Sequence, residues 1–135
     1  MEVPIELKAV DGAEKLCAWF GYWPSFHDAE VVELHLSRRS SSCLAIHTWE
    51  ITDEVDAQGY YVLTKHVVVE FLLRGISGLD LSGFNDQNVL SGLVLERVDA
   101  GFRLTLDDCY GVTGAIEAKE ISIRLAPGKP QDECP

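Results

Sequence analysis

Positive charge is scarce in this chain: 11 Lys and Arg stand against 22 Asp and Glu, a formal net charge of −11 over 135 residues. A general nucleic-acid binder needs cationic surface to displace counterions from phosphates, so nucleic acid is not an expected partner. An anionic membrane surface would repel the chain as well. The charge suits solubility and a cationic partner. Long hydrophobic runs are also missing. No segment approaches about 18 consecutive apolar residues, so no membrane-spanning helix is expected. The opening Met1-Glu2-Val3-Pro4-Ile5-Glu6 has no basic region followed by an apolar run. It does not read as a signal peptide, and the expected compartment is the cytoplasm.

Cysteine is sparse, with Cys17, Cys43, Cys109 and Cys134 and no CxxC pair among them. Zinc-ribbon and thioredoxin-like readings fail on that ground, and free thiols are expected. Cys17 and Cys43 read as small core residues, and Cys134 as part of an exposed tail. Phosphate-binding loops of the GxxxxGK[ST] and GxGxxG types are absent. Gly75-Ile76-Ser77-Gly78 falls one residue short of a nucleophile elbow. What remains is ordinary globular composition, 47% hydrophobic and 24% charged. A chain of this length buries about two-thirds of its extended surface, enough for one core. One domain over residues 1–126 is expected. Residues 127–135, opening Pro127-Gly128-Lys129-Pro130, offer no core side chain and read as a flexible tail.

Apolar periodicity predicts one helix and then strands. Ala13, Leu16, Cys17 and Phe20 fall at i, i+3, i+4 and i+7, one stripe on one helix face. Asp11 and Glu14 have capping-box spacing, and Gly21 suits the left-handed C′ position. Beyond Phe26 the period becomes 2. Val32, Leu34 and Leu36 alternate with Glu33 and His35, and Leu44, Ile46 and Thr48 alternate with Ala45, His47 and Trp49. The two runs form a hairpin about Arg38–Ser41. An acidic loop over 53–59 precedes a long β-rich stretch over 60–73, read as a central strand covered on both faces. Further strands are predicted over 78–81, 89–98, from Phe102 and over 115–125, with a bulge near Lys119-Glu120. No βαβ alternation occurs. The expected fold is mainly β: an antiparallel β-sandwich or open barrel of six to seven strands with one N-terminal α-helix.

Candidate chemistry is thin. The sharpest cluster is Trp23-Pro24-Ser25-Phe26-His27-Asp28-Ala29-Glu30. A carboxylate beside His27 could orient an imidazole as a general base, and His27, Asp28 and Glu30 could hold a metal. Neighbours on a strand diverge, however, so the favoured reading is a structural corner. In that reading Phe26 fills the core and His27 and Asp28 bond backbone groups. His35 and His47, with Glu33, would share a metal if hairpin register set them opposite. His66 reads as a lone structural histidine. Asp107-Asp108 lacks any nucleophilic or basic partner. The acidic run Glu50, Asp53, Glu54 and Asp56 is either a solvated turn or a docking surface for a cationic partner. Tyr60 and Tyr61 beside it are candidate interface anchors.

The corner at residues 23–31, with Val69-Glu70-Phe71 and Phe84-Asn85-Asp86-Gln87-Asn88-Val89, resembles the immunity protein 50 family over residues 19–125. The resemblance implies an antidote that binds a toxin of a polymorphic toxin system. It supplies no catalytic residue, cofactor or metal ligand. The combined expectation is a non-catalytic bacterial protein, monomeric or weakly dimeric, that neutralises a cognate and basic toxin by docking. Two alternatives stand beside it: a small enzyme or metal-dependent binder using His27 and Asp28, and a structural homo-oligomer joined at an exposed sheet edge.

Overall fold

The period-2 segments become six antiparallel strands in a computed structural model that describes residues 3–130. They are β1 (Glu30–His35), β2 (Ser42–Val55), β3 (Tyr61–Ser82), β4 (Val89–Val98), β5 (Gly101–Tyr110) and β6 (Thr113–Pro127). A single 3-10 turn, Ile5–Leu7, and helix α1, Ala13–Phe20, precede them. The sheet is mainly β and antiparallel, with the helix at the N-terminal end. It goes one step further than a sandwich or open barrel: the strands close in the order β1-β2-β3-β6-β5-β4.

Closure depends on the corner that precedes β1. The register between β1 and β4 holds a single pair, Glu30 with Val89. Backbone bonds from the corner do the rest. The Asp28 N–H donates to the Leu90 carbonyl and the Leu90 N–H to the Ala29 carbonyl, both at 2.8 Å. The Val31 N–H donates to the Asn88 carbonyl at 2.8 Å, and the Leu93 N–H to the Ser25 carbonyl at 3.1 Å. To make these bonds the chain takes left-handed backbone at Phe26 (φ 64°) and Asp28 (φ 66°). That conformation is costly for a bulky side chain. Burial of Phe26 offsets it: the ring is 3% exposed and packs on Phe71 at 5.9 Å between centroids.

Asn88 fixes the other side of the seam. Its Oδ1 accepts from the N–H of Asn85 (3.0 Å) and of Val112 (3.1 Å), and its Nδ2 donates to the Asn85 carbonyl (2.8 Å). This side chain is 2% exposed, a buried amide with its partners in place. It ties the turn before β4 to the turn between β5 and β6. Gly111 is needed there, because a Cβ would meet Asn88 Oδ1 and the Gln87 carbonyl at 2.6 Å each.

The long strands β3 and β6 belong to both halves of the barrel. Thr113–Ala118 of β6 lies between β3 and β5, while its later residues have lost β5 as neighbour. Asp11 covers the vacated edge: it bridges Ser122, and its carbonyl accepts from the Ile123 N–H at 2.7 Å. Helix α1 follows and buries Ala13, Leu16, Cys17 and Phe20 as the spacing predicts. Its cap differs from the expected Asp11–Glu14 box. Gly12 is the N-cap, at φ 89°, and no side chain caps the helix. Asp11 is engaged with β6, and a Cβ on Gly12 would collide with the Ile123 carbonyl.

Several local expectations are corrected. Residues 78–81 are not a separate strand but the end of β3, beyond a bulge between Ile76 and Gly78. The buried face of β6 does shift phase at Lys119-Glu120, both exposed, but the register irregularity lies on β3 opposite. In β1 the bulge between Val31 and Glu33 buries Val31 and leaves Val32 exposed. Val67 and Val69 are fully buried while Val68 is only partly so; β3 there has one inner face rather than two covered ones. Cys17 is buried as expected, but Cys43 is only partly buried and Cys109 is exposed; all three are free thiols. Burial, Glu70 and Glu33 push the Cys43 thiol upward in pKa, which makes it a poor nucleophile. Of the tail, Pro127 still pairs with Val67, and the Gly128 N–H donates to the His66 carbonyl at 2.7 Å. Residues 131–135, including Cys134, lie outside the described residues.

Asn88→Ala should therefore cost about 2–4 kcal/mol, because it strands the buried Val112 N–H and opens both turns. A thermal melt should fall by roughly 10 °C. A shift of only one or two degrees would show that the seam does not depend on this amide.

Candidate partner-binding site

Strands β2 and β3 are longer than the barrel needs. Pairing of β1 along β2 ends at Glu30–His47, and pairing of β6 along β3 ends at Val67–Pro127. Beyond these points, among the described residues, β2 and β3 pair only with each other. The result is a two-stranded ribbon, residues 49–66, that leaves the barrel at one end. The acidic segment expected as a loop is shorter than that: Asp53, Glu54 and Val55 lie in β2, and only residues 56–60 turn.

The ribbon gathers the predicted acidic and aromatic residues but gives them different tasks. Asp56 builds the turn: its Oδ1 accepts from the N–H of Gln58 (2.9 Å) and Tyr60 (3.0 Å). Its carboxylate is thus partly committed to backbone. Glu50, at the root, is partly buried and faces Lys65 Nζ at 3.6 Å. Asp53 and Glu54 are exposed. Tyr60 and Tyr61 are 71% and 63% exposed.

Sequence reasoning missed the apolar residues between them. Register sets Ile51 opposite Leu63 and Val55 opposite Tyr61. Cross-strand partners share a face, so these four form one strip, and all four are exposed. A cluster of large apolar side chains on a solvated face is a recognisable interaction signal. The clue in the sequence was the polar set Thr64, Lys65 and His66, which breaks the apolar run before Val67.

The root of the ribbon is pinned. Lys65 sits at a bulge with left-handed backbone (φ 56°), where β3 slips against β2 between Thr48 and Glu50. The Trp19 indole of α1 donates to the Lys65 carbonyl at 3.0 Å. Beside it, His47 Nε2 and His66 Nδ1 share a hydrogen bond of 3.0 Å, with the two rings stacked 5.2 Å apart. Trp49 packs 4.9 Å from His47 and 6.0 Å from His66. His66 is thus not a lone histidine. Burial, His66 and Lys129 hold the His47 imidazole below its ordinary value; burial and Lys129 do the same for His66.

The other histidine readings are changed by geometry. His35 pairs with Cys43 and His47 with Glu30, so the two histidines stand at opposite ends of the hairpin and cannot share an ion with Glu33. His27 and Asp28 lie in a turn rather than a strand. Their side chains are 69% and 49% exposed and meet each other, Nδ1 to Oδ2, at 3.3 Å. They contact one another instead of the expected backbone groups. Trp23 packs against the core from its rim. Among the described residues no group of three or more His, Cys, Asp or Glu is placed to hold a metal ion.

The opposite end of β2 carries a group of three arginines. Arg38 and Arg39 of the β1–β2 turn and Arg74 of β3 line a shallow cavity of about 460 Å³, with Arg74 Nε donating to Ser41 Oγ at 3.2 Å. Among the described residues none of these three meets a carboxylate within ion-pair distance, unlike Arg103 with Glu117 and Arg124 with Glu70, each at 2.7 Å.

Neutral imidazoles at the ribbon root make stability depend on pH. The unfolded chain takes up protons near pH 6.5, while folded His47 and His66 take them up only at lower pH. Stability contributed above that point is therefore lost as pH falls from about 6.5 through the folded-state values. Urea midpoints measured from pH 7.5 downward should decline, and less steeply in the His47→Gln, His66→Gln double variant. An unchanged slope would refute the assignment.

No curated protein and no solved structure shows significant similarity to the chain. A family model described as Immunity protein 50 matches residues 12–126, from the helix cap through the end of β6. With that span covered, the chain belongs to the immunity protein 50 family.

Proposed function

We propose that this protein neutralises a cognate bacterial toxin by direct, non-catalytic binding in the cytoplasm, and that the β2–β3 ribbon is its docking element. Membership in an immunity protein family implies a toxin partner. The observation that supports the ribbon is the strip of Ile51, Val55, Tyr61 and Leu63, solvated on both strands of an arm with no barrel neighbour. Exposed Asp53 and Glu54 flank the strip. Large apolar anchors ringed by charge are the usual energetic centre of an interface.

The charge arrangement favours a basic partner. Toxins that act on nucleic acid carry cationic surface for their substrate. The ribbon end is acidic, and Arg38, Arg39 and Arg74 lie at the far end. A basic partner would be drawn to the first and turned away from the second, which orients encounter as well as speeding it.

The enzymatic alternative finds less support. His27 and Asp28 contact each other and are both exposed to solvent. The oligomeric alternative loses most of its edge to barrel closure. What remains of the β1 edge carries a bulge, Glu33 and His35, which are features that discourage strand pairing.

Calorimetry and stopped flow with a toxin domain sought in the genes neighbouring this one test the proposal. Tyr61→Ala and Leu63→Ala should each weaken binding by about 2 kcal/mol, roughly 30-fold, mainly through faster dissociation. Unchanged affinity in both would remove the ribbon from the interface. Asp53→Lys with Glu54→Lys should slow association and flatten its dependence on salt. An association rate indifferent to both salt and charge reversal would rule out steering.

A further inference from the structure

The two histidines at the ribbon root present facing ring nitrogens at the bite of a metal chelate. His47 Nε2 and His66 Nδ1 lie 3.0 Å apart. Two nitrogens bound to one ion at about 2.0–2.1 Å stand about 3.3 Å apart in tetrahedral geometry and about 2.9 Å apart in cis square-planar geometry. The observed separation falls between these limits, so the nitrogens already stand at chelating distance, and an ion enters once the two rings turn to aim their lone pairs at one point.

The backbone explains why the pair meets. His47 is in register with Val68, and His66 is two residues further along β3 on the same face. Diagonal neighbours of this kind are within reach of long or aromatic side chains. The bulge at Lys65 then draws the rings into a stack inclined by 22°. Both rings are partly buried, so solvent reaches them and water can complete a coordination shell.

We propose that His47 and His66 form a two-imidazole site for a borderline divalent ion of the nickel, copper or zinc class, completed by water. Imidazole nitrogen is the ligand these ions favour, and hard, oxygen-seeking ions such as calcium and magnesium are excluded by the same donor set. Binding requires a change of tautomer. The ring that carries its proton on the facing nitrogen moves it to the distal one, leaving His47 protonated on Nδ1 and His66 on Nε2, and the hydrogen bond between the rings gives way to two metal–nitrogen bonds. Both imidazoles are already held neutral near pH 7, so no proton has to be displaced. Lys129 is the charged group that opposes the ion, since it lies close enough to act on both rings. The ribbon's own charged pair, Lys65 with Glu50, is engaged with itself at the same root.

Nickel(II) and zinc(II) titrated into the full chain after chelator treatment test the site. Trp49, within 6.0 Å of both rings, serves as the reporter. The expected result is saturable binding of one ion per chain, with nickel quenching tryptophan emission. His47→Gln and His66→Gln should each weaken binding by at least about 10-fold, since even outer-shell partners of a bound metal commonly cost that much. His27→Gln and His35→Gln should leave it unchanged, and Lys129→Ala should tighten it. Melting curves separate loss of the ligand from loss of the fold. Zinc-dependent movement of the ¹⁵N shifts of His47 Nε2 and His66 Nδ1 together, in the unmutated protein, checks the same site without any variant. Binding that survives both Gln substitutions, shifts at His27 or His35 alone, or no saturation at sub-millimolar metal would each overturn the proposal.

Discussion

The architecture depends on a handful of backbone hydrogen bonds between the corner at residues 25–31 and the start of β4. Without them β1 and β4 share one register pair, and the sheet is an open ribbon with two long edges. With them the sheet becomes a barrel and its interior a single core. The bonds require left-handed backbone at Phe26 and Asp28, which the chain would not adopt by itself. Three things hold it: the Phe26 ring inserted against Phe71, the amide of Asn88 on the opposite strand, and the turn that Gly111 permits. The strain has a structural use here, since it redirects the chain from helix to barrel within a few residues.

Closure also sets what is left over. A closed barrel has room for only part of β2 and β3, and their surplus length becomes the free ribbon. Two-stranded ribbons are marginal in water without support. This one is supported at its root, by the Trp19 indole on the Lys65 carbonyl and by the stack of His47, His66 and Trp49. The rigid end of the arm is therefore the end near the helix, and the exposed end carries the tyrosines. Anchoring at the root fixes where the arm's backbone leaves the closed scaffold.

Much of this was legible in the sequence, and the reasons for success and failure are physical. The helix over Ala13–Phe20, the β-rich body and the single core follow from periodicity and chain length alone. The seam does not, because it is made by backbone groups of a corner whose φ values no periodicity encodes. Asn88 reads as one more polar residue in a polar turn, and only the fold shows it buried between two turns. The acidic run and its tyrosines were recognisable as an exposed group. Ile51, Val55 and Leu63 were not, since alternating apolar residues in a strand normally face a core. The pairing of His47 with His66 was hidden for a related reason: it is diagonal across two strands whose register a bulge shifts at Lys65.

The residues that resemble the family most plainly are the ones that close the barrel. Trp23, Phe26, His27 and Asp28 with Asn85 and Asn88 make or flank the seam, and the proposed docking strip shares none of them. That division follows from what each part must do. A corner forced through disfavoured backbone tolerates few sequences, because the ring, the amide and the turn must all fit at once. A solvated ribbon tolerates many, because its two strands need only pair with each other and stay attached at the root. A family mark located at the seam therefore describes the scaffold that holds the arm in place.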